Sequence, residues 1–263
     1  MNRLISKFKY WVKTVLWVLT GYLGSPITLA TPHTVTVLIT YFNPVRMRNI
    51  NHQIRNTLQC SFVERLIISN HNPDVNIQDF IKIKDSRITV VNQPAKRGCG
   101  YRWLVAKDFS FEHLIVIDDD ILLSPVQLTQ LFKHLIAQPD IPHGLSGMNC
   151  VPTGGFEFHD RHEMDVDFLC EVYAVTRHQL MRYMDVASRI SSDETIAQSL
   201  EMTTDFMVIS QMGAARPRIH EVGRLFRDET FKMEGVAVHK GPEFDQRVEH
   251  VLQTLQKLGL MNQ

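Results

Sequence analysis

What the chain lacks narrows its chemistry first. Its 28 basic and 28 acidic residues cancel to a formal net charge of zero. A nucleic-acid partner usually leaves a basic excess, so that class of function is set aside. The one apolar stretch near the start, from about Val15 to Leu23, falls short of the ~20 residues that a membrane-spanning helix needs. The four cysteines, Cys60, Cys99, Cys150 and Cys170, form no CxxC pair and no spacing typical of a disulfide framework. This argues against a zinc ribbon and for free, mostly buried thiols in a reducing compartment. The 12 histidines are scattered without zinc-site spacing. No repeat or low-complexity segment stands out.

What remains suits one α/β domain. The chain has 263 residues, 44% hydrophobic and 21% charged, enough for a large core. The composition divides it into an N-terminal segment, residues 1–30, and a domain, residues 31–263. In the segment, Arg3, Lys7, Lys9 and Lys13 precede the apolar stretch. At about 100° per residue, Leu4, Phe8, Trp11, Val15, Leu19 and Tyr22 share one side. Lys9, Lys13 and Thr20 lie nearly opposite, and Trp17 breaks that polar face. A basic amphipathic helix with aromatic residues fits a peripheral membrane contact through residues 1–24. The same pattern also fits a helix packed on the protein's own body, or a cleaved signal peptide ending near Ala30.

Past Pro32, strand and helix patterns alternate. Thr34–Thr40, Val63–Ser69, Arg87–Val91 and His113–Ile117 read as buried strands rich in β-branched residues. Arg46–Cys60, Ile77–Ile83, Tyr101–Phe109 and Pro125–Gln138 read as helices. This alternation predicts a mostly parallel sheet with helices on both faces. In the second half, Gly144–Asn149 and Val166–Thr176 extend the sheet, and Gly154–Glu163 reads as a polar loop. Asp193–Gln211 and Val248–Leu258 read as helices. Ligands of such sheets sit beyond the carboxyl ends of the strands. Tyr41–Asn43, Asn70–Asn72 and Asp118–Asp120 stand at three such ends, so they are expected around one crevice.

Asp118, Asp119 and Asp120 carry the chemistry. Three adjacent acids after a buried strand repel one another and must be solvated or neutralised. Mn²⁺ or Mg²⁺, hard ions that take carboxylate and phosphate oxygens, is the natural partner. In an extended segment alternate side chains share a side, so Asp118 and Asp120 are expected to face the metal while Asp119 points elsewhere. His239, beside Lys240 and Gly241, is a third candidate ligand, and Lys240 a candidate phosphate contact. Both residues would also suit a plain surface loop. Asp205 opens an apolar run and Glu171 sits in an apolar strand; each reads as a catalytic acid or as a buried, paired one. Arg97 and Arg102 suit a diphosphate, which a guanidinium can grip with two donors. Asn43 and Asn70, at strand ends, are candidates for the base or ribose of a nucleotide.

These residues resemble a family. The blocks TVLITYFNP, LIISNHN, IVIDDDILLSP, TTDFMV and VAVHKG are similar to glycosyltransferase family 64, the exostosin-like catalytic domain. The similarity runs over roughly residues 34–250 and is most specific at the aspartate block. It implies a single, Rossmann-like domain of the glycosyltransferase A superfamily. It implies a retaining transfer from a UDP-sugar, with Mn²⁺ on Asp120 and donor contacts at Asn70 and Arg102. The family's late Asp-Asp pair is matched here by Thr204-Asp205, which keeps only the acid placed near the anomeric carbon. A late arginine of the family corresponds to Arg247.

The expected reaction is therefore transfer of a hexosyl or N-acetylhexosaminyl group from a nucleotide-sugar donor to a glycan or glycolipid hydroxyl. Polysaccharide synthesis in the cytoplasm, at the inner membrane face, fits the N-terminal segment; the secretory lumen is the alternative. A nucleotidyltransferase would use similar carboxylates, but usually carries a Gly-rich basic loop where Tyr41–Pro44 stand. A catalytically silent sugar-nucleotide or glycan-binding protein on the same fold is the third reading.

Overall fold

The computed structural model describes residues 11–12, 15–17, 19, 24–233, 236–241 and 243–262. The strands follow from the apolar runs. β1 (Val35–Tyr41) is buried along its whole length, as a strand covered on both faces must be. Two short helices, α1 (Pro44–Met47) and α2 (Ile50–Leu58), lead to β2 (Val63–Asn70) and then β3 (Ile88–Asn92). α3 (Arg102–Lys107) precedes β4 (His113–Asp118) and the short β5 (Ile121–Leu122). α4 (Pro125–Ala137) starts at a capping box of Ser124 and Gln127 with proline in its first turn, which satisfies N–H groups a helix start leaves open.

β6 (His143–Cys150), β7 (Phe156–Asp160), β8 (Met164–Asp165) and β9 (Phe168–Thr176) complete the middle of the chain. α5 (Arg177–Ile190) has its own capping box, Thr176 with Gln179. The expected helix over Asp193–Gln211 is three pieces: α6 (Glu194–Ser199), a π-helical turn at Leu200–Thr204, and α7 (Asp205–Ser210). β10 (Arg218–Ile219), β11 (Phe226–Arg227) and α8 (Phe244–Lys257) follow.

The main sheet runs β3-β2-β1-β4-β9-β6-β10-β8, with β7 added on β6, and β11 pairs separately with β5. β3, β2, β1 and β4 are mutually parallel, whereas β9 is antiparallel to both β4 and β6. Side-chain alternation splits the core in two. Val35, Val37 and Ile39 of β1 join α2 and α4 on one face, while Leu38 joins α3, α5, α7 and α8 on the other. The α/β architecture with a mostly parallel sheet and helices on both faces is as the sequence predicts. Gly154–Glu163 differs: Phe156–Asp160 is a strand that pairs with β6. The alternation of Phe156, Phe158 and Asp160 with Glu157 and His159 is the period-2 signal that the glycines obscured.

At the N-terminus, Trp11, Val12, Val15–Trp17 and Leu19 are helical. Leu4, Phe8 and Tyr22 of the expected apolar side, and all four basic residues, lie outside the described residues. Trp17, which broke the polar face, is 7% exposed. Its indole N–H donates to the Leu123 carbonyl at 3.1 Å, and its ring meets His52 edge-on at 6.0 Å. Trp11, Leu16 and Leu19 are exposed. No helix among the described residues is long and apolar enough to cross a membrane.

Candidate active site

Strand register places the site. Tyr41 pairs with Asn70, Asn70 with Asn92, and Thr40 with Asp118, so these ends meet at one edge of the sheet. Beyond that edge lies a cavity of about 480 Å³, whose walls include Asn43, Arg46, His71, Arg97, Arg102 and the three aspartates.

The aspartates divide their partners differently from the extended-chain expectation. The strand ends at Asp118, and residues 119 and 120 form a turn, so strict alternation stops there. Asp118 pairs with Arg102 Nη1 at 2.5 Å. Arg46 takes both others, Asp119 through Nη1 at 2.5 Å and Asp120 through Nη2 at 2.8 Å. The Arg46 Nε–H also donates to Thr230 Oγ1 at 3.2 Å, which ties the site to the segment after β11. Burial, against the pull of Arg102, pushes the Asp118 carboxyl up to about 6. Burial and then the Asp119 charge hold Asp120 well above the usual carboxylate range. Two guanidiniums thus leave this oxygen donor set short of positive charge. A divalent cation fits such a set.

Arg102 is itself held from behind. Its Nε donates to Asp205 at 2.8 Å, and the Trp103 indole N–H donates to the same carboxylate oxygen at 2.6 Å. Asp205 has no exposed surface and forms no part of the cavity wall. Neighbouring Thr204 is also fully buried. The loop carrying Arg102 presses on the π-helical turn: a Cβ on Gly98 would meet Glu201 O at 2.2 Å, and one on Gly100 would meet Leu200 O at 1.9 Å. Glycine is needed for that close backbone approach.

Glu171 lines the cavity with a left-handed backbone, φ 65°. Its carboxylate accepts two bonds from Arg227, at 2.6 and 2.7 Å, and one from the Ser146 hydroxyl at 2.6 Å. Arg227 also binds Asp160 at 3.0 Å and lies over the Phe158 and Phe231 rings. Asn43 is in the wall and caps α1 through Val45 N–H. Asn70 is not in the wall; its side chain is occupied by Val75, Asn92 and Asn72. Arg97 lines the cavity, stacks over Tyr101 at 4.5 Å and pairs with Glu201 at 3.4 Å. His239 is an exposed member of the wall beside Phe231, whereas Lys240 and Arg247 are not in it; Arg247 pairs with Glu243. The four cysteines are free.

Sequence reasoning missed Arg46, Arg227 and the exposed Asp245, which also lines the cavity, and placed His71 only within the strand-end stretch Asn70–Asn72. His71 Nδ1 lies 2.9 Å from the Gly98 carbonyl and so carries the ring proton. Its Nε2, a bare acceptor, is buried with no partner among the described residues. Burial holds this imidazole down at about 4, so it is neutral near pH 7.

With this geometry in view, one solved structure is informative: GalNAc-T7 crystallised with UDP, GalNAc and Mn²⁺. It matches with a TM-score of 0.57 and 9% identity, over 82% of this chain and 48% of that one. The chain has the glycosyltransferase A fold. It spans about half the length of that neighbour. No protein-family model matches the sequence, and no curated protein does. In the A-type fold as built here, Asp118–Asp120 close the central parallel strand β4, and β9 returns antiparallel beside it to bring Glu171 to the same cavity.

Proposed function

We propose that this chain is a metal-dependent glycosyltransferase that moves a sugar from a nucleotide-diphosphate sugar, of the UDP class, to a glycan or glycolipid hydroxyl. One observation carries the reading: three aspartates, Asp119 and Asp120 buried and Asp118 half-buried, form with Arg46 and Arg102 one wall of a cavity at the carboxyl edge of an A-type sheet. Asp120 and Asp118 would hold Mn²⁺ or Mg²⁺, and His239, on the wall of the same cavity, is a candidate third ligand. That ion would supply charge stabilisation for the leaving diphosphate.

The chain's own residues supply the rest. Arg102 and Arg97 present guanidinium donors to the diphosphate. His71 Nε2 accepts from a nucleoside N–H or O–H, and Asn43 lies nearby for the same moiety. Asp205 acts as a positioning residue, because its carboxylate is spent on Arg102 and Trp103. Glu171 likewise shapes the acceptor side: its carboxylate is engaged by Arg227 and the Ser146 hydroxyl. With both acids committed, a retaining transfer that leans on the leaving phosphate is favoured, in line with the resemblance to family 64. Residues 1–24 would place the domain on a cytoplasmic membrane face.

The test is a thermal-shift screen against UDP, GDP, CDP and ADP, each with and without Mn²⁺. A ligand that binds only the folded state raises the midpoint in proportion to RT ln(1 + [L]/Kd). The expected result is a shift that needs both UDP and Mn²⁺ and vanishes in Asp120→Ala. An equal shift without metal would remove the aspartates from the site.

A further inference from the structure

Four neighbouring strands carry a row of polar residues from the aspartates outward to β7. Antiparallel register sets Ile117 of β4 against Val172 of β9, so Asp118 and Glu171 follow at the same end. Cys170, next to Glu171, pairs with Ser146 of β6, and Ser146 pairs with Asp160 of β7. Strands lie about 4.8 Å apart, so β7 stands roughly 14 Å from the aspartate strand. The outer part of the row is bonded together. Ser146 and Arg227 donate to Glu171, and Arg227 also donates to Asp160.

Side-chain alternation puts Phe156, Phe158 and Asp160 on one face of β7. Two of these are already engaged. Phe156 is half-buried against Phe168, with ring centroids 6.1 Å apart, and Asp160 holds Arg227 at 3.0 Å. Phe158 belongs to the cavity wall and is 47% exposed. The Arg227 guanidinium lies 5.5 Å from the centroid of Phe158 and 5.3 Å from that of Phe231. Two carboxylates, Asp160 and Glu171, fix that guanidinium, and a fixed cation over an aromatic face steadies the ring. Phe158 is thus a held aromatic plate with much of its surface open.

We propose that Phe158 is the platform on which the acceptor's sugar ring stacks. This deepens the transferase reading above and rests on it. A pyranose has a face of C–H bonds and a rim of hydroxyls. An aromatic face suits the first, and a few polar groups set around it suit the second. The wall near Phe158 has both kinds. Met148, its cross-strand partner, is apolar, whereas His239 and Asp245 are exposed polar members of the same wall. A lipid tail would want a continuous apolar strip instead. Arg227, lying over both Phe158 and Phe231, breaks that strip with a charge. Donor groups such as Arg102, Asn43 and His71 belong to the aspartate end of the cavity, so the two substrates meet between Asp118 and β7.

The experiment is saturation-transfer NMR on the full chain with UDP and Mn²⁺. The probes are the methyl glycosides of glucose, galactose, N-acetylglucosamine and N-acetylgalactosamine, with octyl glucoside as the lipid control. At least one methyl glycoside should take up saturation, most strongly at its ring C–H protons, and Phe158→Trp should keep that signal. Phe158→Ala should weaken the glycoside's binding about tenfold, the loss expected if stacking takes roughly 55 Å² of apolar surface out of water. Phe158→Leu keeps apolar volume without a flat face; the same direction of loss is expected, should the alanine variant fold poorly. The Mn²⁺-dependent UDP thermal shift should persist in both variants. Its absence from wild type sinks the transferase reading and the platform with it. A normal UDP shift with glycoside binding equal in wild type and both variants sinks the platform alone. So does a wild type that binds no methyl glycoside, or saturation confined to the alkyl protons of octyl glucoside, which would put a lipid chain on Phe158 instead.

Discussion

Arg102 and Asp205 meet at 2.8 Å across a separation of 103 residues, with 3% and 0% of their side chains exposed. The pair explains how one arginine can both face the cavity and stay fixed: Nε is held by Asp205, and Nη1 is aimed at Asp118. Removing one member of a buried ion pair strands the other and costs about 3–5 kcal/mol. Asp205→Asn should therefore lower unfolding stability by roughly that amount. It should also weaken Mn²⁺-dependent UDP binding, because Arg102 loses its anchor. Urea unfolding and calorimetry check the two effects, and unchanged stability would mean the pair does not hold the site together.

Gly100 tests the same region from the backbone. An alanine there would drive its Cβ to 1.9 Å from the Leu200 carbonyl, and that contact is with backbone, which cannot swing away. Overpacking of this kind typically costs about 1–3 kcal/mol. Gly100→Ala should thus shift the urea midpoint downward and reduce donor affinity together. A variant with wild-type stability would show that the loop and the π-helical turn part easily.

Different parts of the molecule were legible in the sequence to different degrees, for physical reasons. The four parallel strands were readable because continuous β-branched runs leave few alternatives, and the aspartate triplet because charge at the end of such a run needs a partner. Arg46 was not, since nothing in a helical stretch says which arginine will turn toward Asp119 and Asp120. The Glu171–Arg227 clamp joins residues 56 apart, and only the fold brings them together. The reading of Glu171 and Asp205 as acids either paired or catalytic was left open by sequence. Their partners are visible only in three dimensions.

Asp228 predicts a pH dependence. Burial alone would raise its carboxyl, but hydrogen bonds from the Thr230 N–H, Arg48, the Thr230 side chain and Asn49 outweigh that and hold it at about 2, against an ordinary 3.8. The folded state therefore favours the ionised form. Its stabilisation is fully present above the ordinary value and is lost as pH falls through about 2. Asp228→Asn should cost about 2 kcal/mol at pH 7, and the gap to wild type should close as pH falls from 4 toward 2. Parallel unfolding curves at every pH would contradict this.

The N-terminal segment makes the last prediction. Trp17 binds the body of the domain through the Leu123 carbonyl, while Trp11, Leu16 and Leu19 are exposed apolar side chains of the same helical stretch. Exposed large apolar groups next to basic residues favour an anionic lipid surface, where apolar insertion and electrostatic attraction act together. Deleting residues 2–24 should abolish sedimentation with vesicles containing phosphatidylserine and leave Mn²⁺-dependent UDP binding intact. High salt should weaken the full-length protein's attachment, since the electrostatic part is screened. Attachment that survives the deletion would place the membrane contact on the domain itself. Loss of UDP binding together with attachment would make the Trp17 contact a structural support of the α2–α4 side of the sheet instead.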